Sequence, residues 1–193
     1  MSFLHLLEPE ETIGNAWHRL VGGGGIVAHH PAAAVRFDEV APQLAVFFRG
    51  LGGSAGVELR PAVAEVSHHR LERRIRLGAR AERVQRARFD GECFSLPDSI
   101  DAFADRAMNA DLYFWLAAWT AVASQRPVGP CHYLLAHDLN RIAHASETTA
   151  GVLRRFPGLQ PLYARLRQAT LENRRQRTLP EIENAVEVLV RRA

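Results

Sequence analysis

The chain has no lysine: all 24 of its basic residues are arginine. That absence removes whole enzyme classes, because neither a P-loop lysine nor a Schiff-base lysine can be supplied. A GC-rich genome is the simple cause, and the excluded chemistry is the useful consequence. Cysteine is nearly absent as well. Cys93 and Cys131 are the only two in 193 residues, too few for a secreted disulfide framework. Long hydrophobic runs are missing too. The longest, "LYFWLAAWTAVA" at residues 112–123, falls well short of the about 20 residues a bilayer span requires. The start, "MSFLHLLEPEE", has no basic n-region and does not read as a signal peptide. The expectation is a soluble, cytoplasmic protein.

What is present is enough for a folded domain. Apolar residues make up 47% of the chain, which supplies a core, and 23% charged residues argue against wholesale disorder. The net charge of +3 is small but unevenly spread. Residues 70–88, "RLERRIRLGARAERVQRAR", carry eight arginines against Glu72 and Glu82. Further arginines gather at Arg174, Arg175 and Arg177 and at Arg191 and Arg192, while acids gather at Glu8, Glu10, Glu11 and between Asp98 and Asp111.

Periodicity predicts a mainly α, compact helical domain over 1–193 with one small β-hairpin near residues 84–96. "EETIGNAWHRLVG" repeats apolar residues at helical spacing and stops at a run of four glycines. These glycines lack the G-K-[ST] of a phosphate loop and read as a cap or linker. "FDEVAPQLAVFFRGLGG" places Val40, Leu44, Phe47, Phe48 and Leu51 on one helical face, with Asp38 as N-cap and Pro42 confined to the first turn. Pro61 is expected to open a further helix closing at Gly78. Asp90-Gly91 marks a two-residue hairpin turn, setting Ala87 against Phe94 and Arg88 against Cys93. From Asp98 onward the pattern reads as helical throughout, with a break at Asn109-Ala110.

Four features invite a functional reading. Gly52-x-Ser54-x-Gly56 has the spelling of a hydrolase nucleophile elbow, with Asp138 and His144 downstream. An elbow needs a strand before the serine and a helix after it, within a parallel sheet. The preceding segment has helical periodicity and the chain lacks buried β-branched runs, so a glycine turn is the better account. Serine hydrolysis at Ser54 stays as a remote alternative. His68-His69 diverge by about 100° on a helix and do not face one ion. Cys131, His132, His137 and His144 lack paired ligand arms, and Arg141 would repel a cation beside His137 and His144. No metal site is assigned. Asp98, Asp101 and Asp105 are explained as helix-start carboxylates.

The arginine band is the strongest physical signal, and either a solvated helix face or an acidic partner accounts for it. The residues taken as partner-binding are Arg70, Arg73, Arg74, Arg76, Arg80 and Arg83. Nucleic-acid binding is a remote alternative, disfavoured by the small net charge and by the lack of interleaved aromatics.

Three phrases, "LEPEETIGNAWHRLVG", "FDEVAPQLAVFFRGLGG" and "LPDSIDAFADRAMNADLYFWLAAWTA", resemble the N-terminal region of the CbbO/NorD proteins. The resemblance implies partnership with a hexameric MoxR-type AAA+ ATPase (CbbQ-like or NorQ-like) and, elsewhere in such proteins, a von Willebrand factor A domain that holds Mg²⁺. This chain carries no D-x-S-x-S adhesion motif, so no cofactor is expected in it; Mg²⁺ and ATP belong to the absent domain and to the partner. The implied role is that of a non-catalytic adaptor. In the CbbO branch, favoured at this point, it couples the ATPase to remodelling of inhibited Rubisco, with carboxysome association as a corollary. In the NorD branch the same docking role serves activation of nitric oxide reductase.

Overall fold

The computed structural model describes residues 29–62, 65–66, 83–84, 87–123, 134–173 and 188. The expected helix over 10–22 and the C-terminal stretch 180–193, Val188 apart, lie outside them. The described residues form four α-helices, α1 (Phe37–Gly50), α2 (Arg106–Ala123), α3 (Leu134–Arg155) and α4 (Gln160–Asn173). Seven short strands accompany them: β1 (Val35–Arg36), β2 (Glu58–Pro61), β3 (Glu65–Val66), β4 (Arg83–Val84), β5 (Arg88–Phe89), β6 (Cys93–Leu96) and β7 (Ser99–Ile100). The mainly helical class is as the periodicity indicates. The strands are more numerous than one hairpin.

The apolar run at 112–123 becomes the centre of the molecule. Leu112, Tyr113, Trp115, Leu116, Ala117, Ala118, Trp119 and Ala121 are all buried, because α2 packs on α1, α3 and α4. A helix apolar on every face is stable in water only when neighbours cover every face. Aromatic pairs make the joints. Phe47 meets Phe114 edge-on at 5.2 Å, and Trp115 lies against Tyr163 with ring centroids 4.5 Å apart. No helix among the described residues is long and apolar enough to cross a membrane.

Helix α1 follows the apolar face read from the sequence, with Val40, Leu44 and Phe48 buried. Its start differs. Arg36, not Asp38, is the N-cap; the Glu39 carboxylate accepts a hydrogen bond from the Arg36 backbone N–H at 2.9 Å. Pro42 therefore lies inside the helix rather than in its first turn. Flanking turns hold it there, at the loss of one backbone bond.

Helix α2 begins at Arg106, later than "PDSIDAFADRAM" suggests. Ser99 and Ile100 are instead strand β7, antiparallel to β1 with Val35 opposite Ile100. The three carboxylates separate accordingly. Asp105 caps α2 by accepting from Ala107 N at 2.8 Å, Asp101 pairs with His29 at 3.1 Å, and the Asp98 carbonyl accepts from Phe37 N at 2.8 Å. Asn109 does not break the helix. It is fully buried and bonds both backbone groups of Phe103 and the carbonyl of Ala33. Tyr113 is buried beside it and donates to Pro97 O at 2.7 Å. Burial, then the carboxylates of Asp98, Asp38 and Glu39, push its phenol well above the ordinary tyrosine range.

Pro61 closes β2 rather than opening a helix. β2 pairs parallel with β6, and β5 pairs antiparallel with β6 on its other side, giving a three-stranded mixed sheet in the order β2-β6-β5. A short parallel pair thus forms without long β-branched runs, because Phe89, Phe94 and Leu96 supply the buried face. The hairpin is present, but its register is shifted by two residues. Phe89 faces Phe94 and Arg88 faces Ser95. The central turn residues are Gly91 and Glu92, with Gly91 at φ 96°. The Asp90 side chain fixes this choice by accepting from Glu92 N at 3.0 Å and Cys93 N at 2.6 Å. A two-residue shift preserves which side chains point inward, so the core face of β5 and β6 is unchanged.

Candidate functional site

The glycine stretch after α1 is a helix-to-strand turn, the reverse of an elbow's strand-to-helix order. Gly52 has φ 93°, in the left-handed region that suits glycine. Gly53 lies against the buried ring of Phe48, and a methyl group there would overlap that ring. Ser54 itself is exposed, and its hydroxyl accepts from Gly56 N at 3.3 Å, a local turn bond. Packing and backbone conformation account for the motif.

Of the histidines and cysteines weighed and set aside as ligands, Cys131 and His132 lie outside the described residues. His144 stands edge-on to Trp119 at 6.2 Å, serving the α2–α3 contact. His68 and His69 also fall outside the described residues.

Most of the arginine band does so too: Arg70, Arg73, Arg74, Arg76 and Arg80. Arg83 is described through its backbone, in β4. What the structure does place is the base of this segment. β3 and β4 pair antiparallel, with Val66 opposite Arg83 and Glu65 opposite Val84, so the chain on either side of residues 67–82, which hold most of the arginine-rich stretch, is tied together. β2 leads into β3, and β4 leads on into β5. The segment therefore leaves from one edge strand of the mixed sheet and returns to the other.

That sheet has a patterned outer face. Strand alternation turns Phe94 and Phe89 inward, and Phe48 packs on Phe94 at 5.7 Å. Outward, Arg60 and Arg88 both register on Ser95, one from each side. The Arg60 Nε donates to Ser95 Oγ at 3.2 Å. The adjacent outward rung is acidic: Glu58 registers on Cys93, whose carbonyl accepts from Asp90 N at 3.2 Å. Arg60 Nη2 reaches Asp90 diagonally at 4.0 Å, a weak exposed pair. The Cys93 and Glu92 N–H groups, with Arg60 adding to them, hold the Asp90 carboxyl below its ordinary range. The basic rung is the one nearer β3 and β4; the acidic rung is the farther one. By sequence alone Arg60 falls in the glycine-rich turn before Pro61, and its partner Ser95 lies 35 residues further along the chain.

No protein-family model matches the chain, and no solved structure matches it. Curated relatives do. The chain is 38% identical over 187 residues to Protein NorD of Brucella abortus, covering 97% of the chain and 30% of that protein. It is 30% identical over 182 residues to Protein NorD of Stutzerimonas stutzeri, 94% of the chain and 28% of the relative. An uncharacterized protein of Pseudomonas aeruginosa is 31% identical over 188 residues. The chain thus spans about three-tenths of the length of these bacterial relatives. Their names favour the NorD branch over the CbbO branch toward which the sequence phrases leaned. Matched along nearly all of its length, the chain is a NorD/CbbO-type N-terminal region.

Proposed function

We propose that this chain is the docking region of a NorD-type activator: a non-catalytic adaptor that engages a hexameric MoxR-type AAA+ ATPase in support of nitric oxide reductase activation. The observation that carries the reading is the match to NorD across 97% of the chain. The family resemblance supplies the ATPase and the target. The absence of lysine is consistent with ATP hydrolysis residing in the partner, since no P-loop lysine is available here.

The arginine-rich segment is the proposed contact. Its concentration of positive charge and its tethering by the β3–β4 pair support the assignment. Arginine forks bind carboxylates bidentately, which suits an acidic protein surface. Charge reversal at Arg73, Arg74 and Arg76 together should weaken ATPase binding at least tenfold at moderate salt, as an order-of-magnitude expectation for a screened, multi-charge contact. Unchanged affinity in a pull-down titration would remove the segment from the interface.

A further inference from the structure

Asp90-Gly91 is the one Asp-Gly step in the chain, and no Asn-Gly step accompanies it. We propose that this step is a latent isomerisation site: the folded hairpin holds it as aspartate, and a chain that loses the hairpin converts it to isoaspartate and cannot rebuild the turn. The residue types supply the reactivity. Glycine has no Cβ to obstruct its backbone nitrogen, so Gly91 N can attack Asp90 Cγ in an unconstrained chain. One C–N bond forms and one water leaves, closing a succinimide. Water then adds at the Asp90 backbone carbonyl carbon and breaks its bond to Gly91 N, which leaves the chain running through Cγ. No oxidant, metal or enzyme enters the balance.

The folded turn opposes each part of that attack. Asp90 Oδ1 accepts from Glu92 N at 3.0 Å and from Cys93 N at 2.6 Å, so the carboxyl is fastened to the two residues beyond Gly91. The electrophile in ring closure is the protonated acid, and the turn disfavours that form. The Cys93 N–H foremost, then that of Glu92 and the charge of Arg60 4.0 Å away, hold the carboxyl below its ordinary range. Rotation is limited as well. Gly91 sits at φ 96°, Asp90 N donates to Cys93 O at 3.2 Å, and Phe89 registers on Phe94. The anchor of this pairing is in the core, since Phe94 is fully buried against Phe48 and Phe89. Ring closure therefore waits for the hairpin to open, and its rate follows the population of the open form.

The product does not fit the turn. Isoaspartate lengthens the backbone between residues 90 and 91 by one carbon and replaces the Oδ1 acceptor with a carboxylate on a shorter stem. Both N–H bonds that set the Gly91-Glu92 turn are lost. The two-residue loop then no longer closes at the register that seats Phe89 opposite Phe94, and Phe94 loses its fixed place in the core. The change is one-way: opening permits it, and its product blocks closure.

The test follows isoaspartate at residue 90 in the purified chain, by mass spectrometry after digestion with a protease that cleaves before aspartate but not before isoaspartate. At neutral pH the native chain should isomerise at least about tenfold more slowly than the same chain unfolded in guanidinium chloride. Phe94→Ala removes the core contact behind β6 and should raise the rate in native buffer toward the unfolded one, whether it opens the hairpin or the whole fold. Chain isomerised in denaturant, returned to native buffer and separated from unmodified chain by chromatography, should melt several degrees lower than unmodified chain carried through the same steps, or fail to refold. Equal rates in native and unfolded chain, or a Phe94→Ala rate no faster than wild type, would overturn the protection. A refolded isoaspartate chain with the unmodified melting temperature would overturn the one-way consequence.

Discussion

Asn109 holds Phe103 by both of its backbone groups: its Oδ1 accepts from Phe103 N at 2.9 Å, and its Nδ2 donates to Phe103 O at 2.8 Å. The same amide nitrogen reaches Ala33 O at 2.9 Å, so one buried side chain fastens the approach to α2 onto the turn before β1. Asn109→Ala leaves three buried backbone groups without this partner, and should cost about 3 kcal/mol. Urea denaturation of wild type and variant measures it. A loss below about 1 kcal/mol would show that water or a rearranged backbone replaces the amide.

Phe48 and Gly53 make the second test. The Phe48 ring occupies the space a Cβ at residue 53 would need, and Phe48 is 1% exposed, so the ring has no room to retreat. Gly53→Ala should destabilise by about 2 kcal/mol through overpacking. Gly50→Ala is the matched control, because nothing lies within 4 Å of its Cβ position. It should be neutral or slightly stabilising. Equal melting temperatures for the two variants would contradict the packing explanation of the glycine stretch.

Asp90 gives the hairpin a pH dependence. Two backbone N–H groups, Cys93's foremost, stabilise its ionised form, so its pKa in the folded state lies below the ordinary value of 3.8. The sign follows: a depressed carboxyl contributes stability above the unfolded-state value and loses it as pH falls through the folded one. The turn's contribution should therefore be complete at neutral pH and decline below about pH 4. Asp90→Asn should show a smaller stability difference between pH 7 and pH 3 than wild type. An unaltered difference would mean that the carboxylate charge does not support the turn.

Ser54 is expected to be chemically inert. Its hydroxyl accepts from Gly56 N, and the chain runs helix–turn–strand through it. A fluorophosphonate probe should label neither the wild-type chain nor Ser54→Ala, read by intact-mass spectrometry. Labelling that vanishes in Ser54→Ala would restore a nucleophile.

The helices were legible where apolar spacing is long enough to be unambiguous. Val40, Leu44 and Phe48 face the core as their spacing requires, and the run at 112–123 is the central helix. The short strands were not legible, and the cause is physical. A two-residue strand such as β7 has no periodicity to read, and its place is set by pairing with β1. Asp98, Asp101 and Asp105 suit a helix start equally well by spacing; only Asp105 acts as one, because Asp101 is drawn to His29. The parallel pairing of Arg60 with Ser95 is a contact across 35 residues that no local pattern encodes. Consequently the arginine band was visible as composition, whereas the rung formed by Arg60 and Arg88 needed the sheet.

The central claim, that this region docks on an ATPase, is tested most directly by size-exclusion chromatography. The purified chain would be mixed with the MoxR-type ATPase from the same genome, loaded with a non-hydrolysable ATP analogue. One early-eluting complex containing both proteins is expected, disrupted by charge reversal at Arg73, Arg74 and Arg76. Two separate peaks, from a folded chain and an assembled hexamer, would contradict it.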